Sequence, residues 1–154
     1  MTKTRAARRP AIHMIEDEAD AISSLAMTVE DRLPQVAELL LDEIGRAKTY
    51  RKGKVPADVV TMYSTVEFVD EASGADRTVE LVYPKDADIA AGRVSILTPI
   101  GAGLIGMRAG QSILWPDREG HQRWLRIISV VQAGYEPVIW NAADLELKFT
   151  YPED

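Results

Sequence analysis

The stretch Thr98–Gln111, TPIGAGLIGMRAGQ, gives the clearest structural signal in the sequence. Pro99 follows a threonine at its start, and proline suits the first turn of a helix because the N–H that it lacks would have no helical partner there. Four glycines interrupt the apolar residues that follow. Because glycine weakens a helix interior, we expect a helix of one or two turns that packs closely against its neighbours.

Segments on both sides of this stretch alternate between apolar and polar residues, which is typical of β-strands. The segment EASGAD between the first two strands is a turn, and Gly74 is the residue expected at positive φ. Several short strands around one short helix predict an α+β domain. The predicted strands are Thr65–Asp70, Thr78–Tyr83, Arg93–Thr98, Gln111–Trp115 and Arg123–Val131.

Two helices are predicted before the strands. A first apolar stripe recurs at helical spacing from Ile15 to Val29, and a second runs from Val36 to Ala47. Pro34 marks the start of the second helix, so the connection is short, and helices joined by a short connection run antiparallel. The first helix spans roughly 20 Å at 1.5 Å per residue. We therefore predict a short antiparallel helical hairpin.

These patterns divide the chain into five segments. A change from helical to alternating periodicity separates the hairpin from the strands, and a stretch rich in glycine, proline and charge lies between them. The final segment is apolar, and it could cap the sheet, pair with a second copy or bind a partner. The predicted segments are a flexible basic arm (1–10), the hairpin (11–50), a linker (51–58), the β-rich domain (59–135) and an apolar tail (136–154).

Composition excludes several classes of protein. The chain has 154 residues, a net charge of -6 and a sequence pI near 5.0, so sequence-specific binding to nucleic acid is not expected. It contains no cysteine, which excludes disulfides and thiolate metal sites. No apolar run approaches the ~20 residues of a membrane-spanning helix, and we expect a cytoplasmic protein with no membrane partner.

The stretch Pro56–Val131 resembles the C-terminal domain of the Gre transcript elongation factors. The similarity lies in VVTMYSTVEFVD, TVELVYPKDAD and GRVSILTPIGAGLIGMRAGQSI, which stand in the family's order. Its most specific part is Thr98–Gln111, which is similar to the family pattern Ser-Pro-apolar-x-x-x-Leu-apolar-Gly-x-x-x-Gly-Asp. The short hairpin and the LVYP strand end are most similar to the branch of the superfamily whose coiled coil is truncated.

The resemblance implies an FKBP-like fold, a bent antiparallel sheet around one short helix. It also implies that bacterial RNA polymerase is the partner, because the corresponding loop of Gre factors grips a coiled coil at the rim of the secondary channel. Leu97 departs from the family, which tends to have an acidic residue there, so the contact is expected to be more apolar. The implied docking loop comprises Thr98, Pro99, Ile100, Gly101, Gly103 and Leu104.

The predicted hairpin tip carries Glu30, Asp31 and Arg32. Paired carboxylates at such a tip can hold a second Mg²⁺ in the polymerase active site. Two acids at a helix junction are equally typical of a solvated turn. A hairpin of roughly 20 Å is too short to traverse the channel, since reach is limited to 1.5 Å per residue. We therefore predict no catalytic residue and no metal in this chain.

A basic tract from Arg46 to Lys54 has two interpretations. It could contact RNA or acidic groups of polymerase, or it could compensate the charge of the acidic hairpin. No cofactor-binding motif is present, and His13 and His121 stand too far from acidic partners to suggest a metal site. We predict a polymerase-binding regulator that competes with Gre factors without stimulating cleavage. The alternatives are a Gre-type cleavage factor that uses the tip acids, and an FKBP-like isomerase or peptide binder.

Overall fold

A computed structural model describes residues 10–116, 119 and 121–133. The predicted basic arm, apart from residue 10, and the predicted apolar tail lie outside the described residues. So does the end of the predicted β-rich domain.

The helical hairpin is confirmed. Helix α1 spans Glu16–Thr28 and helix α2 spans Pro34–Arg46, with proline in the first turn of α2 as expected. The two helices turn over residues 29–33, where the Leu33 N–H donates to the Val29 carbonyl at 2.7 Å. The apolar stripes face each other and the core, which buries Ala19, Ile22, Ala26, Val36, Ala37 and Leu40.

Two short strands close the base of the hairpin, and the sequence did not predict them. Strand β1, His13–Ile15, pairs in parallel with strand β2, Lys48–Tyr50, with His13 opposite Lys48. The pairing brings together the residues just before α1 and just after α2. Both strands lie in the segment 11–50, for which only a helical hairpin was predicted, because three-residue strands carry little periodicity.

The sheet of the β-rich domain has five strands in the order β5-β4-β3-β7-β6. Strand β5 is parallel to β4 and every other neighbouring pair is antiparallel, so the sheet is mixed, whereas an antiparallel sheet was predicted. A register shift between Glu67 and Phe68 marks a bulge in the β3–β7 pairing. The strands are β3 Thr65–Asp70, β4 Asp76–Val82, β5 Arg93–Ser95, β6 Ser112–Pro116 and β7 Gln122–Val131.

Strand β5 is shorter than the predicted Arg93–Thr98 because its last residue turns the chain. The Ser95 hydroxyl accepts a hydrogen bond from the Leu97 N–H at 2.9 Å, and the Ser95 carbonyl accepts one from the Thr98 N–H at 3.1 Å. Serine commonly folds the backbone in this way. Helix α3, Pro99–Leu104, starts directly after the turn, which confirms the predicted short helix.

One hydrophobic core joins the hairpin to the sheet. It contains Ile22 and Leu40 from the helices, Phe68 and Leu81 from the sheet, and Leu104 from α3. The α+β class is therefore confirmed, and the hairpin lies beside the sheet with its apolar faces in the shared core. Among the described residues, no helix combines the length and apolar character that crossing a bilayer requires.

Candidate functional site

The start of α3 is fixed by hydrogen bonds of Thr98. Its Oγ1 donates to the Ser95 carbonyl at 2.7 Å and accepts from the Gly101 N–H at 3.0 Å, which caps the helix. Pro99 occupies the first helical turn, where its missing N–H costs nothing. The Thr-Pro step therefore holds residues 98–100 in one orientation at the surface of the domain.

Half of the predicted docking loop lies inside the protein. Gly101, Gly103 and Leu104 are buried, so they cannot contact a partner directly. A Cβ on Gly101 would lie 2.3 Å from the Ser95 carbonyl oxygen, so only glycine lets α3 approach β5 this closely. These three residues therefore support the loop from within. The accessible part of the predicted set consists of Thr98, Pro99 and Ile100, each half-buried.

The accessible part of the loop borders a groove of about 900 Å³. The groove lies between α3, the β4–β5 pair and the segment that connects them. Its apolar wall includes Ile89, which is 80% exposed and stands at the rim. An isoleucine with this exposure costs free energy in water, so the rim is suited to an apolar contact. Among the residues that line the groove are the apolar Ile89, Pro99 and Ile100 and the cationic Arg77, Arg93 and Arg123.

Three arginines, Arg77, Arg93 and Arg123, outnumber the two acids, Asp70 and Glu119, among the residues that line the groove. Arg93 approaches Glu80 at 3.7 Å and Asp88 at 3.9 Å, and Arg123 Nη1 lies 3.3 Å from Asp70 Oδ2. The Arg77 guanidinium lies 5.7 Å from the centre of the Phe68 ring. Cations beside an apolar wall favour a partner surface that is both apolar and acidic. The sequence singled out the loop but missed Ile89, although an exposed isoleucine within the polar segment KDADIAAGR was the available signal.

A second, polar pocket lies near the groove around Tyr63. Tyr63 has φ 66, a conformation that costs free energy for a bulky side chain. Its hydroxyl donates to Asp86 Oδ2 at 2.5 Å, and this hydrogen bond is the main reason that its pKa rises to about 12. The same bond lowers the pKa of Asp86. The pocket, of about 460 Å³, also contains Glu80, Lys85, Asp88 and Arg93. The sequence could not have predicted it, because nothing in the sequence marks positive φ at a tyrosine.

The predicted hairpin tip is exposed and separate from the groove. Glu30, Asp31 and Arg32 lie in the turn between α1 and α2, and all three side chains face solvent. Within the described part of the chain, no group of three or more histidine or acidic side chains is arranged to hold a metal ion. The tip can therefore offer its carboxylates to a metal ion that another molecule also coordinates. The length of the hairpin determines how far the tip can reach.

A half-buried carboxylate holds the hairpin to the domain. Glu18 Oε1 on α1 accepts a hydrogen bond from the Met62 N–H at 3.1 Å. Burial raises the pKa of Glu18, which outweighs the opposing effects of this hydrogen bond and of Lys52. Burial also raises the pKa of Tyr83 to about 12, with Glu18 adding to the shift. The connection between α1 and the β-rich domain is therefore partly polar and sensitive to protonation.

Comparison with known proteins agrees with this architecture. The family model described as transcription elongation factor, GreA/GreB, C-term, matches residues 55–132. A solved structure of a prokaryotic transcription elongation factor GreA/GreB from Nitrosomonas europaea superposes with a TM-score of 0.65 at 35% identity. The match covers 80% of this chain and 100% of that chain. The chain therefore belongs to the GreA/GreB transcription elongation factor family.

Two curated relatives place it within the family. The regulator of nucleoside diphosphate kinase of Escherichia coli is 35% identical over 122 residues, which cover 79% of this chain and 90% of that protein. The transcription elongation factor GreA of Azorhizobium caulinodans is 38% identical over 79 residues, which cover 51% of this chain and 50% of that protein. The predicted resemblance is confirmed, and the match to the regulator of nucleoside diphosphate kinase is longer than the stretch 55–132 that the family model covers.

Proposed function

We propose that this chain binds bacterial RNA polymerase near its secondary channel through the groove beside α3. There it competes with Gre factors and regulates transcription without stimulating transcript cleavage. The observation that carries the proposal is the apolar rim formed by exposed Ile89 and half-buried Pro99 and Ile100, the last two held by the Thr98 cap of α3. Membership of the GreA/GreB family supports polymerase as the partner.

The chemistry of the groove supports a protein partner of mixed character. An apolar rim gains free energy when it is covered, at about 25 cal/mol per Å². Arg77, Arg93 and Arg123 along its edge would steer an acidic partner and fix its orientation. Because Arg77 and Arg93 are exposed, binding should weaken as salt rises.

The length of the hairpin supports binding without cleavage. Helix α1 has 13 residues, which reach roughly 20 Å at 1.5 Å per residue. Glu30 and Asp31 carry the residue types that a cleavage factor needs, but a carboxylate must stand at the reacting atoms to assist. A tip held short of the active site can occupy the channel entrance while leaving cleavage unstimulated.

Binding to purified core polymerase tests the docking surface. Ile89→Asp places a charge on the rim at a side chain that is 80% exposed, so the fold should survive. Ile128→Asp is the matched control, because Ile128 is 46% exposed on β7 and does not line the groove. We expect Ile89→Asp to weaken binding at least tenfold, or about 1.4 kcal/mol, and Ile128→Asp to leave it within twofold.

The outcomes separate docking from the remaining alternative. Equal binding by both variants and the unmodified chain would reject the groove as the docking surface. An isomerase or peptide binder predicts turnover of proline-containing peptides without polymerase. Peptide turnover that Ile89→Asp abolishes, together with unaltered polymerase binding, would favour that alternative.

A further inference from the structure

A cationic surface lies at the base of the hairpin, away from the groove. The tract Arg46–Lys54 contains five cationic side chains and no acidic one, in a chain of net charge -6. The structure places its central part in strand β2 and its end in a tight turn. We call Lys48, Tyr50, Arg51, Lys52 and Lys54 the basic ribbon.

The backbone of the basic ribbon is held in place. Strand β2 pairs with β1, and the Lys48 N–H donates to the Ile12 carbonyl at 2.9 Å. The turn is closed by the Lys54 N–H, which donates to the Arg51 carbonyl at 2.9 Å, with Gly53 at φ 84. The positions of the cations along the chain are therefore set by secondary structure, which lowers the entropy that a ligand must remove on binding.

The four cations of the basic ribbon form no ion pair with another described residue, although the charge of Lys52 reaches Glu18 and opposes the rise in its pKa. Lys48, Arg51, Lys52 and Lys54 are all exposed, and none takes part in an ion pair there. Arg46, which precedes them, is already paired, because it donates to Glu43 at 2.7 Å and to the Pro10 carbonyl. Charge repulsion among unpaired cations costs free energy that an anionic ligand would relieve.

An aromatic ring lies beside these charges. Lys48 Nζ stands 5.4 Å from the centre of the Tyr50 ring, and the Tyr50 hydroxyl is 2.9 Å from His13 Nδ1. The pKa of His13 is lowered by burial, and then by the positive charges of Arg108 and Lys48. The neutral form of His13 is therefore favoured, so the Tyr50 hydroxyl is hydrogen-bonded to an uncharged imidazole. A half-buried ring edged by cations can stack on a base while the cations meet phosphates.

We infer that the basic ribbon binds the phosphate backbone of a single-stranded polynucleotide, with Tyr50 as the stacking platform. Residues Lys48 and Tyr50 lie two apart on one face of β2, or roughly 7 Å along a strand, which suits the spacing of successive nucleotides. The binding is independent of base sequence, since the ribbon offers charge and a ring. It is also modest, because the remainder of the chain is acidic; we expect a Kd of roughly 10–100 μM at low salt.

Fluorescence anisotropy with labelled strands tests the inference on the full chain without polymerase. The probes are a single-stranded RNA of about 20 nucleotides, a DNA strand of the same sequence and the DNA duplex, titrated at ~50 mM and ~200 mM salt. The test variant is Arg51→Gln, Lys52→Gln, Lys54→Gln. The matched control is Arg32→Gln, Lys85→Gln, Arg126→Gln, which removes three exposed cations elsewhere. Circular dichroism verifies that both variants are folded.

We expect the test variant to bind the RNA strand at least tenfold more weakly at low salt, and the control within twofold of the unmodified chain. The salt dependence of log K should become shallower by about 2, since each lost phosphate contact contributes about 0.7. Tyr50→Leu should weaken strand binding by roughly tenfold through lost stacking. Equal affinity for RNA and DNA strands would identify phosphate as the recognised group, and preference for RNA would add a contact to the 2′-hydroxyl.

Three results would overturn the inference. The first is no change in anisotropy with any strand at about 200 μM protein and low salt. The second is an equal loss of affinity in the test and control variants. The third is unchanged strand binding in the test variant combined with weaker polymerase binding, which would assign the basic ribbon to an acidic protein surface. None of these results depends on the groove, so failure here leaves the proposed polymerase docking untouched.

Discussion

Thr98 shows how one side chain determines the candidate site. Its hydroxyl bonds to Ser95 on one side and to Gly101 on the other, so it ends β5 and begins α3. Pro99 then has its φ fixed by its ring. The pair could be identified from the sequence because helix starts have local chemistry. The groove that it borders could not, because Ile89 and Arg77 reach it from other elements.

Gly101 gives the first test at the residue scale. Gly101→Ala would place a Cβ 2.3 Å from the Ser95 carbonyl oxygen and 3.0 Å from the Ile96 Cα, both backbone atoms that cannot move aside cheaply. We expect a loss of about 3 kcal/mol in the free energy of unfolding. Thermal unfolding should show a midpoint lower by roughly 10 °C.

Gly45→Ala is the matched control for that substitution. Gly45 lies in α2, and an added Cβ there meets no heavy atom within 4 Å. Alanine favours the helix, so we expect a gain of about 0.5–1 kcal/mol. A loss of stability in the Gly45 variant as large as in the Gly101 variant would contradict the close approach of α3 to β5.

Glu18 gives a second residue-scale test, through pH. Burial raises its pKa in the folded protein above 4.5, so the carboxylate form is disfavoured by folding. The stability linked to this group is fully present below pH 4.5 and is lost as pH rises through the folded pKa. Glu18→Gln keeps an oxygen to accept from Met62 and removes the charge.

We therefore expect the Glu18→Gln variant to be more stable than the unmodified chain at neutral and higher pH, and the difference to vanish towards pH 4.5. Urea unfolding midpoints at the two ends of that range measure this directly. If the unmodified chain were more stable at neutral pH, the Glu18 carboxylate would be stabilising in its charged form, contrary to its burial.

At the scale of elements, local signals could be predicted and non-local pairings could not. The strand Thr65–Asp70 has the predicted bounds, and helix α1 nearly spans the predicted apolar stripe from Ile15 to Val29. Both could be predicted because six or more residues repeat the strand or helix periodicity. Strands β1 and β2 were missed because each has three residues and its partner lies about 35 residues away. The parallel pairing of β5 with β4 was missed because alternation indicates a strand but not the direction of its neighbour.

The hairpin provides the test at this scale. We expect the unmodified chain to add no Mg²⁺-dependent cleavage of RNA in backtracked polymerase complexes, because the 13-residue α1 is too short. A Gre factor serves as the positive control, and gel analysis of labelled transcripts is the measurement. Cleavage by this chain that disappears in Glu30→Ala, Asp31→Ala would instead make the tip acids metal ligands.

At the scale of the whole molecule, exposed acids lie at both ends of the hairpin. Glu30 and Asp31 lie at its tip, and Glu16 and Asp17 lie in the first turn of α1, next to the basic ribbon at its base. Helix α2 spans 13 residues between the tip and the ribbon, or roughly 20 Å. A net charge of -6 therefore includes a local run of cations. The sequence predicted the acidic hairpin and the basic tract, whereas the exposure of the ribbon cations required the fold.

The shared core also bears on function. Ile22 and Leu40 of the hairpin pack in the same cluster as Phe68 and Leu104 of the domain. Packed interiors transmit displacement, so the hairpin is held in a defined direction relative to the groove. When a partner is bound in the groove, the hairpin would therefore face a fixed part of that partner, as the proposed docking near the secondary channel requires.

The most direct test of polymerase docking is competition with a Gre factor for core RNA polymerase. Labelled Gre factor bound to limiting polymerase is titrated with this chain at about 0.05 M and about 0.3 M salt. We expect complete displacement at the lower salt, and weaker displacement at the higher salt because the groove and hairpin are charged. Binding of both proteins to the same polymerase without displacement, or no binding of this chain at the lower salt, would contradict docking near the secondary channel.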